Sequence, residues 1–242
     1  MNNNKNFYIY VGQDEEPYGP WAMIPDEPEK RQRAINAGYT AGSVISLYFG
    51  AIKGSPLETR GPLFIEFEAK REPSIAISIA REFIRQKLVD HCAVDPGCLR
   101  YWMNGSKGCH IEIPWVVYGE GEWQRDCPPV EYDILLQLGF HAFDDSELRF
   151  FANSPQFYFA KVLMVQWPNI KRNNGHFKVP VSAEEFFNHD YSELERLTLT
   201  PRIDFDPGTT EPIKSPRLAE ICDIAVGWRR RGRNGLSPLS GM

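Results

Sequence analysis

The sequence predicts an α+β domain, a mixed sheet with helices packed on it, with an α/β arrangement still open at this level. Three observations lead there. Short runs of aromatic and β-branched residues recur between Gly and Pro punctuation. The apolar residues Ile75, Ile79, Phe83, Ile84 and Leu88 follow helical spacing. Two Ser-x-x-Glu pairs, Ser182 with Glu185 and Ser192 with Glu195, fit the capping box that opens a short helix.

In chain order, Phe7–Val11 reads as a strand ended by Gly12, and Glu29–Ala37 as a helix ended at Gly38. Ser43–Phe49 reads as extended. Leu63–Glu68 is a strong strand between Arg60-Gly61-Pro62 and a charged stretch. Ser74 caps a helix running to about Val89, after which Asp95-Pro96-Gly97 turns the chain. Leu99–Met103 and Cys109–Ile113 are two strands joined by the tight loop Asn104-Gly105-Ser106-Lys107-Gly108. A helix over Glu131–Leu138 and strands over Leu148–Phe151, Phe157–Val165 and Phe177–Val181 follow. No internal repeat is visible. The folded domain spans residues 1–200, and 201–242 is a C-terminal extension. Its end, from Gly227, carries Arg229, Arg230, Arg231 and Arg233 and reads as a mobile basic tail.

Composition excludes several classes. With 242 residues, 42% hydrophobic and 24% charged, the chain can build a sizeable core, which rules out wholesale disorder. No apolar run approaches the roughly 20 residues a membrane span needs. Residues 1–10 lack the basic and apolar regions of a signal peptide. The five cysteines (Cys92, Cys98, Cys109, Cys127 and Cys222) are odd in number and lack CxxC spacing. They read as reduced thiols of a cytoplasmic protein, without a zinc module. The net charge of −5 requires any nucleic-acid site to be a local basic patch.

Three stretches carry chemistry. In the strand Leu63–Glu68, alternation puts Glu66 and Glu68 on one face with Cα atoms roughly 6–7 Å apart, Ile65 and Phe67 on the other. Two carboxylates at that spacing offer hard oxygen ligands to a divalent cation, although such a pair alone is commonly just solvated. Next, the Gly/Ser/Lys loop before Cys109 presents backbone amides and the Lys107 ammonium as a cradle for phosphate oxygens. His110 and Glu112 then share a face of the following strand; a lone strand histidine is more often structural. Third, Lys171, Arg172, His176 and Lys178 cluster around Asn173-Asn174-Gly175, interleaved with Trp167 and Phe177. Cations among aromatic faces suit a single-stranded backbone with unstacked bases, or simply make a charged, solvated hairpin.

In this order, the Arg-Gly-Pro-Leu strand with spaced acids, the Gly-Ser-Lys-Gly-x-His strand and the Asn-x-Lys-Arg-x-Asn-Gly-x-x-Lys-Val-Pro segment resemble the archaeo-eukaryotic primase superfamily. The likeness is greatest to the small primases and primase-polymerases of bacterial plasmids and integrative elements, and covers roughly residues 7–200. It implies a primase-type catalytic core around an RRM-like sheet. It also implies template-directed nucleotidyl transfer with two Mg²⁺ or Mn²⁺ ions. By resemblance, Glu66 and Glu68 bind metal, and Ser106, Lys107 and His110 contact the incoming nucleotide. Among the residues themselves, Arg172 is a further donor for the triphosphate, and Lys171, Arg172 and Lys178 suit the nucleic-acid backbone. The implied partners are a single-stranded DNA template, nucleoside triphosphates and a replicative helicase.

The chain departs from the family pattern at three places. Glu66-x-Glu68 stands where Asp-x-Asp is usual. Asn153 or Ser154 stands where a third metal-binding acid is expected, unless a shifted register brings in Asp144 or Asp145. Gln166 replaces an arginine before Trp167. These departures open a second reading: a degenerate primase-like domain that binds nucleotide or single strands, or docks a replication partner.

Overall fold

The computed structural model describes residues 6–13, 21–43, 46–48, 58–69, 72–105, 107–119, 123–124, 148–150 and 164–232. The expected helix over residues 131–138 and most of the strand over 157–165 lie outside them, as do Cys127, Asp144, Asp145, Asn153 and Ser154. The strands are β1 (Tyr8–Gly12), β2 (Ala22–Pro25), β3 (Ala41–Ser43), β4 (Ser46–Tyr48), β5 (Glu58–Arg60) and β6 (Leu63–Ala69). They continue with β7 (Arg100–Met103), β8 (Gly108–Ile113), β9 (Trp123–Gln124), β10 (Leu148–Phe150), β11 (Met164–Gln166) and β12 (Val179–Val181). The helices are α1 (Pro28–Asn36), α2 (Pro73–Phe83), α3 (Trp115–Tyr118), α4 (Ala183–Asn188), α5 (Tyr191–Leu197) and α6 (Pro216–Gly232).

The expected α+β class holds, but the single mixed sheet does not. The described strands form two sheets, ordered β11-β3-β1-β4-β5-β9 (with β2 also on β1) and β10-β6-β8-β7-β12, and every strand pair is antiparallel. The physical reason lies in the second sheet. The crossover through α2 returns β7 in the direction of β6, yet β8 inserts between them and pairs antiparallel with both. Ser43–Phe49 likewise resolves into β3 and β4, which both lie along β1 with a register offset between them. β2 is a strand that sequence reasoning missed; Trp21 packs over Gly12, where a Cβ would sit 2.1 Å from the ring.

The core explains the second sheet. Leu63, Ile65, Phe67, Cys109, Ile111, Ile113, Tyr101 and Met103 are buried on one face and meet Ala76, Ile77, Ala80 and Phe83 of α2. The helix starts at Pro73, with Glu72 rather than Ser74 in the cap position, and beyond Phe83 it widens into a π-helix, Ile84–His91. Ile84 and Leu88 still reach the core. The four described cysteines, Cys92, Cys98, Cys109 and Cys222, are buried free thiols. Burial pushes Cys92 and Cys98 up to about 11, so both are protonated and inert at neutral pH.

Residues 201–232 are not peripheral to this packing, since Leu218, Ile221 and Cys222 are buried in the same core. Ser215 ties the start of α6 down by donating its N–H to Val117 O at 2.7 Å. The basic stretch expected to be a mobile tail from Gly227 is helical in its backbone as far as Gly232; Arg233 lies outside the described residues. No described helix is long and apolar enough to cross a membrane.

The first capping box is present as expected. Glu185 N donates to Ser182 Oγ at 3.1 Å, and Ser182 N to Glu185 Oε2 at 2.8 Å. Arg202 adds a two-pronged clamp on Glu185, at 3.0 and 2.8 Å. Burial would raise the Glu185 pKa, but the Arg202 and Ser182 hydrogen bonds outweigh it and hold the carboxyl below its usual value. A depressed carboxyl pKa gives stability that is complete above the unfolded value and is lost as pH falls through the folded one. Accordingly, Arg202→Met should cost about 2 kcal/mol at pH 7. That difference should shrink as pH falls below the ordinary glutamate range, measured by urea unfolding at several pH values. The second box is displaced: Asp190, not Ser192, caps α5, accepting from Glu193 N at 2.9 Å.

Candidate metal centre

The face of β6 opposite the core carries Phe64, Glu66 and Glu68, and antiparallel register sets Glu66 against His110 and Glu68 against Gly108. His110 is in turn opposite Trp102 on β7. Strand alternation therefore brings the acid pair and the histidine to one face, on central strands of the sheet. His110 Nε2 lies 2.8 Å from Glu66 Oε1. One ligand atom each from Glu66, Glu68 and His110 lies within 4.8 Å of the others. This cluster can hold a metal ion, and the chemistry of its donors fits one: two carboxylates and an imidazole, all largely buried.

The loop before β8 seats the cluster. Asn104 N donates to Gly108 O at 3.0 Å and Ala69 N to Lys107 O at 2.9 Å, folding the turn against the end of β6. Gly105 has φ +71°, and a Cβ there would press on His176 at 2.7 Å. Only glycine meets both demands. Ser106 lies outside the described residues, so its expected nucleotide contact is not placed; Lys107 is partly exposed at the turn.

Beneath this turn runs a polar chain that sequence reasoning missed. Arg172 Nη1 donates to Asn104 Oδ1 at 2.7 Å, and Asn104 Nδ2 donates to Glu68 Oε1 at 2.5 Å. Asn104 carried no sequence signal beyond its place before Gly105. The hairpin around Gly175 forms as expected, with Lys171 bridged to Phe177. Its cations, however, do not share one surface. Lys171 is exposed, whereas Arg172 turns inward to Asn104. His176 Nδ1 meets Thr198 Oγ1 at 2.7 Å. Lys178 is 2% exposed, with its ammonium 4.7 Å from the Phe64 ring centre and 5.5 Å from that of Trp102.

Charge follows this geometry. Burial lowers the His110 pKa, and it prevails, with Lys178 and Arg172 on the same side, over the upward pull of the Glu66 carboxylate. For Glu66 burial acts upward, but His110, Lys178 and Arg172 prevail and hold its carboxyl below the usual value. Glu68 goes the other way, raised by burial and by the neighbouring Glu66 carboxylate. Lys178→Met should therefore shift the Glu66 carboxyl upward in pKa, read by carbon NMR of the labelled side chain; an unmoved titration would contradict the assigned role of Lys178.

Phe64 and Lys178 also line a cleft of about 510 Å³ between the two sheets. Its far wall includes Gly42, Val165, Gln166 and Trp167. Trp167 packs where a Gly42 Cβ would lie 2.3 Å from its indole nitrogen. Gln166 is buried and donates to Ile170 O at 3.2 Å. Glu66, Glu68 and His110 do not themselves line this cleft; Phe64, on the same face of β6, and Lys178 stand between the cluster and a wall that also carries Asp26 and Glu112. No family model, curated protein or solved structure matches the chain.

Proposed function

We propose that the chain is a DNA primase or primase-polymerase of mobile-element replication, carrying out template-directed nucleotidyl transfer. The observation that carries this reading is the register of Glu66 against His110 beside Glu68, on the face of β6 whose Phe64 lines the inter-sheet cleft. The order β10-β6-β8-β7, with α2 between β6 and β7, supports an RRM-like core, being the strand order of a split β-α-β-β-α-β unit. Glu66 and Glu68 would hold Mg²⁺ or Mn²⁺, which supplies charge neutralisation at the reacting phosphate. Lys107 at the turn and the inward guanidinium of Arg172 supply positive charge for the triphosphate of the incoming nucleotide. Lys178, fixed on Phe64 and Trp102, sets the field around Glu66 from inside the site. Lys171 is the exposed cation of the hairpin and suits the template backbone. A replicative helicase would be the partner that delivers the single-stranded template.

The test is direct. The full chain, given labelled nucleotides, Mn²⁺ or Mg²⁺ and single-stranded DNA, should yield extended products; no product with either metal on any template would overturn the reading. Gln166 favours a second reading, a degenerate domain that binds nucleotide or single strands or docks a replication partner. A neutral amide, committed to Ile170 O, stands where the family carries a guanidinium. That reading expects salt-sensitive single-strand binding without synthesis, weakened for all sequences by Lys171→Ala with Arg172→Ala.

A further inference from the structure

We infer that Asn104 is a positioning residue for the proposed metal centre: its side-chain amide, locked by Arg172, holds the Glu68 carboxylate in the orientation that a divalent ion needs. The inference rests on reading the acid cluster as a metal centre, and deepens it by tying that centre to the hairpin around Gly175 through a residue that is not itself a ligand.

Register sets up the contact. Glu68 lies opposite Gly108 on one side, and on the other Asn104 N donates to Gly108 O at 3.0 Å. Asn104 and Glu68 are therefore two strand spacings apart, roughly 9–10 Å of backbone. Their side chains meet across a residue that has none, with Asn104 Nδ2 donating to Glu68 Oε1 at 2.5 Å. An asparagine at a hairpin turn commonly satisfies its own loop. Here the backbone makes the loop bond, and the side chain joins two groups from distant parts of the sequence.

The partners fix which way the amide points. Arg172 Nη1 donates to Asn104 Oδ1 at 2.7 Å and to the Asn104 carbonyl at 3.1 Å. A guanidinium has only donors, so it takes the amide oxygen and leaves Nδ2 for the carboxylate. Its charge makes that grip stronger than one between neutral groups. Asn104 is 1% exposed, so water does not compete for its amide. With one oxygen anchored, the Glu68 carboxylate cannot turn freely about its last bond, and such support is what keeps a ligating carboxylate in place. Arg172 belongs to the hairpin that carries the exposed Lys171, and His176 of that hairpin closes on Gly105 of the same loop. Hairpin, loop and carboxylate are joined into one piece.

Calorimetric Mn²⁺ titration of the full chain tests this, with Asn104→Leu, which keeps the size of the side chain and removes both its polar atoms. We expect the folded variant to bind Mn²⁺ about ten- to a hundredfold more weakly than the unaltered chain. Urea unfolding run alongside reads the loss of stability separately. A merely structural Asn104 would leave a less stable protein whose folded form binds Mn²⁺ as tightly as before. If the leucine variant does not fold, Asn104→Ser carries the same test, serine being a residue that turns accept and too short to reach Glu68. Equal Mn²⁺ affinity in a folded variant would overturn the inference, as would failure of both variants to fold, which makes Asn104 a structural residue. No Mn²⁺ binding by the unaltered chain would sink the metal-centre reading and this inference together; binding that ignores Asn104 sinks the inference alone.

Discussion

Glu66→Ala combined with Glu68→Ala should reduce primer extension to background and abolish divalent-ion binding in the same preparation. The two carboxylates supply both oxygen donors of the cluster, leaving only His110. Metal assistance worth several kcal/mol to phosphoryl transfer corresponds to about a thousandfold in rate. Glu66→Gln with Glu68→Gln should have the same effect on both readouts while keeping side-chain shape, including an oxygen to accept from Asn104 Nδ2. Extension assays and calorimetric Mn²⁺ titration on the paired variants check this. Synthesis that survives the glutamine pair would place the chemistry elsewhere in the chain.

Gly108→Ala should be strongly destabilising. An added Cβ would lie 2.0 Å from the Phe67 carbonyl oxygen and 3.2 Å from Ala76, in a backbone with φ +152°. Neither the neighbouring strand nor α2 can yield without opening the β6–β8 ladder. Backbone strain and overpacking together give a loss of about 4 kcal/mol. Gly175→Ala is the control: φ is +88°, but nothing lies within 4 Å, so its cost is about 1 kcal/mol. Urea unfolding of both variants separates the effects. Because Glu66 and His110 are paired through that same ladder, Gly108→Ala should also weaken Mn²⁺ binding.

Local patterns made much of this legible. Alternation in Leu63–Glu68 and in Cys109–Ile113 told which residues enter the core and which face outward, and the Gly-bearing loop between β7 and β8 fixed their hairpin. Ser182 and Glu185 announced α4 through a hydrogen-bond exchange that needs only three residues' separation. What failed was non-local. Nothing near β7 says that β8 will stand between it and β6, so the mixed sheet was misjudged. Of the apolar stripe, Ile79, Phe83, Ile84 and Leu88 are buried as read, whereas Ile75, in the first turn after Pro73, is 37% exposed and Ile77 is buried in addition. Within the site the acids and His110 were legible as sharing strand faces. The inward turn of Arg172, the burial of Lys178 and the relay through Asn104 were not, since each depends on β12 and its hairpin docking beside β7.

The burial of Leu218, Ile221 and Cys222 in the core shared with the second sheet, where α6 packs on α3, has a consequence for biosynthesis. α2 covers much of the sheet's apolar face early, but the core that it shares with α3 stays incomplete until a helix far downstream arrives. Such long-range closure slows folding and prolongs the exposure of sticky surface. Stop codons or proteolytic cuts upstream of Leu218 would thus leave the core open beside α3.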